Sequence, residues 1–211
     1  METFKFVIEI IGTIAFAVSG AMVAYRKRMD IFGVCVLGLI TACGGGFLRD
    51  LFLGKLPPSM FVNPVYPVTA IVVSLIVFIP SVHRALKKSE NLYEEFQRFA
   101  DALGLGMFTA AGVSTAIGAG FYDNAFFVIF IATITGVGGG LMRDVLAGLP
   151  PSIFVRHIYA LAVIAGAIVC YVLWMPLGET WATLICFVVV VIIRMLAARY
   201  RWSMPRAGGD E

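Results

Sequence analysis

One pattern, Gly-Gly-Gly-x-x-Arg-Asp, constrains this chain more than any other feature because it occurs twice. It occupies residues 44–50 and 138–144, and each copy is followed by Leu-Pro-Pro-Ser, at 56–59 and 149–152. Both copies lie in strongly apolar surroundings. A glycine is about 1 kcal/mol less favourable than alanine in a helix interior, and an Arg or Asp at bilayer depth is costly unless it meets a partner or water. Such a repeated cost indicates a specific role.

The composition predicts an all-α polytopic membrane protein. Of the 211 residues, 60% are hydrophobic and only 14% are charged, whereas about a quarter of the residues of a soluble domain are charged. A membrane-spanning helix needs about 20 mostly apolar residues. We therefore predict seven transmembrane helices, near residues 4–24, 31–53, 63–82, 98–118, 122–147, 154–174 and 180–199.

The basic residues fall mainly into alternate loops of this arrangement. They are Arg26, Lys27 and Arg28; Arg84, Lys87, Lys88 and Arg98; Arg156; and Arg199, Arg201 and Arg206. Basic loops tend to face the cytoplasm, so we predict a multi-pass protein of the cell inner (plasma) membrane with its amino terminus outside and its carboxyl terminus cytoplasmic. We expect membrane lipids among the partners. We do not expect nucleic acid, because no nucleic-acid recognition motif lies between the basic residues.

The similarity between the two halves extends beyond the glycines. Glu9 and Phe16 align with Asp101 and Phe108, and Tyr66 aligns with Tyr159. Each copy holds three predicted spans, so the second copy enters the membrane from the opposite side. This predicts a first three-helix repeat at 1–90, an inverted second repeat at 91–175, a seventh helix at 176–200 and a C-terminal tail at 201–211.

Inverted repeats commonly place their functional site near the bilayer midplane, where interrupted helices from the two halves meet. Here those helices are the second and the fifth, which we expect to be kinked or broken at the triple glycines. A break leaves carbonyl oxygens without helical partners, and these oxygens suit a passing cation. The alternative is that the glycines only permit close helix packing. The residues concerned are Gly44, Gly45, Gly46, Gly138, Gly139 and Gly140.

The polar residues beside the glycines leave two interpretations open. Arg49 and Asp50 are neighbours in sequence, so we expect them to point apart and to find partners on other helices. Arg143 and Asp144 repeat this arrangement. These charges either brace the helices or steer ions. Two threonines lie three residues before the glycines and either contact ions or bond back to their own helix; they are Thr41 and Thr135. Likewise, the Glu9 and Asp101 carboxylates either attract cations or solvate helix ends.

The doubled motif in a three-plus-three-plus-one arrangement of spans resembles the TRIC (trimeric intracellular cation) channels, and in particular their prokaryotic members. The same domain is also known as a glycine transporter domain. The resemblance implies a homotrimer in which each protomer has its own pore, lined by the second and fifth helices with their kinks at residues 44–46 and 138–140. It also implies conduction of monovalent cations, chiefly potassium and sodium. Animal members carry a Lys-Glu-Val segment that this chain lacks.

The leading functional hypothesis is therefore a passive monovalent cation channel. The alternative is a secondary transporter of glycine or another small amino acid, whose carboxylate would bind at a half-helix amino terminus. We do not expect an enzyme, since no nucleophile and base or metal-ligand spacing occurs at span depth. We expect no cofactor and no permanent metal, only a transient monovalent cation. The four cysteines show no CxxC spacing and fit packing roles; they are Cys35, Cys43, Cys170 and Cys186.

Overall fold

The computed structural model describes residues 2–82, 90–155, 158–200 and 202. These residues form helices joined by short turns, and no strand occurs among them. The helices are α1 (Glu2–Arg26), α2 (Ile31–Phe52), α3 (Ser59–Val62), α4 (Val65–Phe78), α5 (Glu90–Gly118), α6 (Ala125–Leu146), α7 (Ser152–Val155) and α8 (Tyr159–Tyr200).

Five of these helices, α1, α2, α5, α6 and α8, are long and apolar enough to cross a membrane. Helix α4 is apolar but only 14 residues long. The 42-residue α8 contains one residue with non-helical angles, Gly178 at φ 77° and ψ 166°, which divides it into two segments. The prediction of an all-helical protein with several membrane-spanning helices is thus confirmed.

The observed helix bounds differ from the predicted spans in two places. Helix α5 begins at Glu90 instead of near 98, because its first turns continue as a polar amphipathic helix. The predicted third span at 63–82 corresponds to the shorter α4. Several predictions lie outside the described residues, namely the tail at 201–211 apart from Trp202, and the basic residues Arg84, Lys87, Lys88, Arg156, Arg201 and Arg206.

Helices α2 and α6 begin and end in the same way. The side chain of Asp30 caps α2 by accepting the Gly33 N–H at 2.8 Å, and Asn124 caps α6 by accepting the Phe127 N–H at 3.0 Å. Such side-chain oxygens satisfy N–H groups that the first helical turn leaves free. A glycine with positive φ stands two residues beyond the last residue of each helix, at positions 54 and 148. The two halves therefore use the same local signals for the same helix.

Helices α2 and α6 do not break at the triple glycines, and a kink at these positions stays a prediction. Every residue of 31–52 and of 125–146 is helical, including the six glycines. The helical hydrogen bonding continues because the cost of a glycine is only about 1 kcal/mol, which packing can offset. No free carbonyl of a half-helix end is therefore available at the glycines, so they must contribute in another way.

The interior is formed largely by small residues, which let the helices approach closely. One buried cluster joins α1, α2, α4, α5, α6 and α8, and it contains the stacked rings of Phe16 and Phe108. A smaller cluster lies around Met22, between α1, α2 and the start of α5. Helix α2 packs along α6, and α1 packs along α5. These two pairings bring the repeated motifs together.

Candidate functional site

Helices α2 and α6 cross at their glycines with their backbones in contact. A Cβ atom added to Gly45 would overlap the carbonyl oxygen of Thr135, and one added to Gly139 would overlap the carbonyl oxygen of Thr41. The contact is reciprocal, because Thr41 and Thr135 occupy equivalent positions before the two triple glycines. The middle glycine of each triplet is therefore required by close approach.

The outer glycines of the triplets do not lie against a carbonyl oxygen, and their surroundings differ from one glycine to the next. A Cβ at Gly44 would lie 2.7 Å from the Met142 sulfur, at the flexible end of a side chain. A Cβ at Gly46 would have only an Arg49 nitrogen nearby, at 3.8 Å. Gly140 differs from its counterpart Gly46, because a Cβ there would lie 2.5 Å from the Tyr159 hydroxyl. Close helix packing thus accounts for the middle glycines more fully than for the others.

The threonines before the glycines bond back to their own helices. The Thr41 hydroxyl donates to the Leu37 carbonyl at 2.6 Å, and the Thr135 hydroxyl donates to the Ile131 carbonyl at 2.5 Å. Both side chains are fully buried. The structure therefore agrees with the interpretation in which each threonine bonds back to its own helix.

The first charged motif belongs to a group that we call the Glu9 cluster, formed by Glu9, Arg49, Asp50, Ser59 and Tyr66. Arg49 donates to Asp50 at 2.9 Å and to Glu9 on α1 at 3.1 Å. Tyr66 on α4 donates to the second Glu9 oxygen at 2.5 Å. The Arg49 side chain is 5% exposed and that of Glu9 is 20% exposed. Glu9 thus holds three helices together.

The second motif lies in an equivalent group, the Asp101 cluster, formed by Ser19, Asp101, Arg143, Asp144, Ser152 and Tyr159. Arg143 donates to Asp144 at 2.9 Å, to Asp101 on α5 at 2.5 Å and to the Ser19 hydroxyl on α1 at 2.7 Å. The Arg143 and Asp101 side chains are 3% and 6% exposed. This cluster is more deeply buried than the Glu9 cluster, which fits its additional hydrogen bond from Arg143 to Ser19.

The expectation that adjacent Arg and Asp side chains point apart is wrong in both motifs. The long arginine side chain curls back, so that its Nε and a neighbouring carboxylate oxygen meet at 2.9 Å. The related expectation of partners on other helices is right, because Glu9 and Asp101 also bind the arginines. Each buried cation therefore faces two carboxylates.

The aspartates also explain the Leu-Pro-Pro-Ser segments. The second carboxylate oxygen of Asp50 accepts the Ser59 N–H at 2.7 Å, and that of Asp144 accepts the Ser152 N–H at 2.8 Å. The carboxylates thereby fix the loop that leaves each helix to the end of that helix. The prolines alone do not achieve this, because proline has no N–H to donate.

The two clusters differ at their tyrosines. Tyr66 donates to Glu9, whereas the equivalent hydroxyl of Tyr159 is buried and has no hydrogen-bond partner in the described part of the chain. Asp101 is one methylene shorter than Glu9, and Arg143 and Ser19 both bond to it. The Tyr159 ring carries the Arg194 guanidinium at 4.6 Å from its centroid. The sequence repeat identifies both tyrosines, but it does not reveal this difference.

Two small cavities meet at Glu9. One of about 30 Å³ is bordered by the Glu9 cluster and extends to Phe108. The other, of about 20 Å³, lies between Glu9 and a surface pair that sequence reasoning missed, Lys5 and Glu179, whose charged atoms are 3.0 Å apart. Among the described residues that line these two cavities, Glu9 is the only charged one that borders both.

Among the described residues, no set of three or more His, Cys, Asp and Glu side chains could hold a metal ion. The four cysteines are free thiols, and three of them are buried. An apolar groove of about 530 Å³ lies between α2 and α6 on the side of Phe47 and Met142. Most of the residues that line this groove are apolar side chains of the two helices.

The chain is similar to known proteins along most of its length. A family model described as "Glycine transporter" matches residues 6–81 and 98–175. The chain is 38% identical to the UPF0126 inner membrane protein YadS of Escherichia coli, over 97% of this chain and 96% of that protein. It is also similar to the crystal structure of a prokaryotic TRIC channel, with a TM-score of 0.87, 31% identity and coverage of 97% and 100%.

A further solved structure is that of the TRIC trimeric intracellular cation channel orthologue from Rhodobacter sphaeroides. Its TM-score with this chain is 0.86 at 30% identity, and the match covers 95% of this chain and 100% of that one. The similarity therefore includes all the helices that carry the two clusters and the glycine crossing.

Proposed function

The chain belongs to the TRIC family of cation-channel proteins, and from this premise we propose that it is a passive channel for monovalent cations, potassium and sodium. The observation that carries the proposal is the similarity to solved TRIC channels over at least 95% of the chain, at TM-scores of 0.86 and 0.87. In this proposal each protomer of a homotrimer has one pore, and α2 and α6 line it. The ions are transient occupants, and the protein needs no cofactor.

The proposed pathway runs from the cavities beside Glu9, past the glycine crossing, to the Asp101 cluster. Its support is that two cavities border Glu9 and that charged side chains are buried in both clusters. We propose that the pore opens when α2 and α6 bend or slide at residues 44–46 and 138–140. Glycines suit this movement because they leave the crossing without side chains. On opening, Thr41 and Thr135 offer hydroxyl and carbonyl oxygens to the ion.

We assign the four motif charges mainly to bracing the helices. Arg49, Asp50, Arg143 and Asp144 are buried, and each has at least two hydrogen bonds in the described residues. A charge engaged in this way is poorly placed to exchange with a passing ion. The carboxylate of Glu9 also accepts two hydrogen bonds, from Arg49 and Tyr66, but its side chain is 20% exposed, which makes it the better candidate for ion steering.

The topology that we propose consists of seven spans arranged as two inverted three-helix repeats and a final helix. The spans would be α1, α2, α4, α5, α6 and the two segments of α8. Support comes from the reciprocal contacts of Gly45 with Thr135 and of Gly139 with Thr41, which an approximate two-fold relation would generate. The amino terminus would lie outside a bacterial inner membrane and the carboxyl terminus in the cytoplasm.

A glycine transporter is the competing function because the matching family model bears that description. The similar solved proteins are described as channels, and this favours the channel. A coupled transporter also needs a titratable or ion-binding group free to change partners. The described motif carboxylates are instead held by arginine and by loop N–H groups.

Recording from the purified protein in planar bilayers tests the proposal directly. We expect discrete potassium currents whose reversal potential follows the potassium gradient, together with no uptake of labelled glycine into proteoliposomes. The Phe126→Leu variant, altered at a side chain that is 81% exposed, controls for purification and reconstitution. Saturable glycine uptake without current steps would overturn the channel and support the transporter.

A further inference from the structure

The two halves of the molecule meet at a stacked pair of phenylalanines. The rings of Phe16 on α1 and Phe108 on α5 have centroids 5.4 Å apart and an interplanar angle of 13°. They are 1% and 6% exposed. The two residues are also equivalent in the sequence repeat, as are Glu9 and Asp101, each seven residues earlier. The stack thus lies where the two repeats face one another.

Each ring lies against a glycine of the other half. A Cβ on Gly104 would overlap the ring of Phe16, and a Cβ on Gly12 would lie 3.1 Å from the ring of Phe108. These glycines are themselves equivalent in the repeat. The Phe16 ring also approaches the pore-lining helix α6, 3.6 Å from a Cβ position on Gly139. The stack therefore touches the glycine crossing.

The stack separates the two polar clusters. Seven helical residues span about 10 Å, so Phe16 lies that far along α1 from Glu9, and Phe108 lies equally far along α5 from Asp101. The cavity beside the Glu9 cluster has Phe108 in its wall. Beyond the rings, the next polar group on α1 is Ser19, which belongs to the Asp101 cluster. The rings therefore lie between the two clusters along both helices.

We propose that Phe16 and Phe108 form a hydrophobic gate that closes the ion pathway between the Glu9 cluster and the Asp101 cluster. The inference rests on the proposed channel function and adds the element that controls it. An apolar constriction stops ions because it offers no polar group that could replace the water molecules around an ion. Opening requires the rings to separate, and the movement of α6 at Gly139 would release Phe16.

Ion flux provides the first test. We expect Phe16→Ala and Phe108→Ala to raise the basal potassium flux into proteoliposomes about tenfold over wild type, because the apolar barrier is lost. Phe16→Leu keeps most of the side-chain volume and should give a smaller rise; it also supplies the measurement if the alanine variants do not fold. Phe126→Ala, at a side chain that is 81% exposed, is the matched control and should leave the flux unchanged.

Cysteine labelling provides a second test that does not depend on conduction. Ser19→Cys would be introduced after alanine replaces Cys35, Cys43, Cys170 and Cys186. A charged methanethiosulfonate would then be applied to membrane vesicles of each orientation. From the Glu9 side we expect no labelling when both rings are present and rapid labelling when Phe16→Ala is added. Leucine at position 16 should slow this labelling.

The outcomes separate the gate from the channel. Wild-type currents together with unchanged flux and labelling in the folded ring variants would overturn the gate and leave the channel intact. Labelling that depends on the rings without potassium flux in any variant would overturn the channel but retain the rings as a barrier. The absence of both flux and labelling in every folded variant would overturn both proposals.

Discussion

Gly45 lies against the carbonyl oxygen of Thr135 with no space for a Cβ atom between them. Because Gly139 has the same relation to Thr41, the crossing of α2 and α6 depends on the absence of two side chains. Gly46, the next residue, has open space on its exposed side apart from an Arg49 nitrogen at 3.8 Å. One triplet thus offers both a test position and its own control.

We expect Gly45→Ala and Gly139→Ala each to destabilise the protein by about 1–3 kcal/mol, the usual cost of overpacking. The added methyl group would force the two backbones apart, and this cost exceeds the gain of about 1 kcal/mol in helix propensity. Thermal unfolding of the purified variants in detergent measures the effect. Gly46→Ala should unfold at or above the wild-type temperature; equal losses at all three positions would contradict the steric explanation.

The sequence was sufficient to predict an all-helical protein with several membrane-spanning helices and to locate the two copies of the charged motif, because apolar length and repeated motifs are local properties. It did not reveal that the helices continue through the glycines, since glycine's weak helix propensity is overcome by a partner helix that only the fold supplies. The pairing of Arg49 with its neighbour Asp50 was also missed. The rule that adjacent helical residues do not face each other describes the directions of their Cβ atoms. The reach of a long arginine side chain depends instead on the residues around it.

The tyrosines offer a matched comparison between the two clusters. We expect Tyr66→Phe to lower the stability by about 1–2 kcal/mol, because the Glu9 carboxylate loses a hydrogen bond of 2.5 Å. Tyr159→Phe should leave the stability unchanged or raise it, since that hydroxyl has no hydrogen-bond partner among the described residues. Thermal unfolding of both variants side by side measures the difference. Equal destabilisation would show that the Tyr159 hydroxyl is bonded in the membrane.

The break in α8 gives a third prediction. Gly178 has φ 77° and ψ 166°, a region that residues with a Cβ rarely occupy. We expect Gly178→Ala to cost about 1–3 kcal/mol and to disturb the adjacent Glu179, which receives a hydrogen bond of 2.6 Å from Ser114. Gly118→Ala is the control, because Gly118 is helical and the nearest atom to its added Cβ is the Lys5 Nζ at 3.9 Å. A stable Gly178→Ala protein would argue against this backbone conformation.

The two carboxylates around Arg49 should be strongly coupled. Glu9→Gln leaves Arg49 its bond to Asp50, and Asp50→Asn leaves its bond to Glu9. The double variant leaves a cation that is 5% exposed without any carboxylate partner among the described residues. Removing the partner of a buried charge costs about 3–5 kcal/mol, so we expect the double variant to lose at least about 1 kcal/mol more than the sum of the two single losses.

A double-mutant cycle followed by thermal unfolding in detergent measures this coupling. Asp50→Asn combined with Glu94→Gln is the control, because the Glu94 side chain is 56% exposed and pairs with the exposed Arg26 and Arg98; distant sites add within about 0.5 kcal/mol. The same cycle on Asp101 and Asp144 should give equal or larger coupling, since the Arg143 side chain is only 3% exposed. Additive losses in both clusters would mean that the arginines reach water. Their assigned role would then change from bracing the helices to lining the ion pathway.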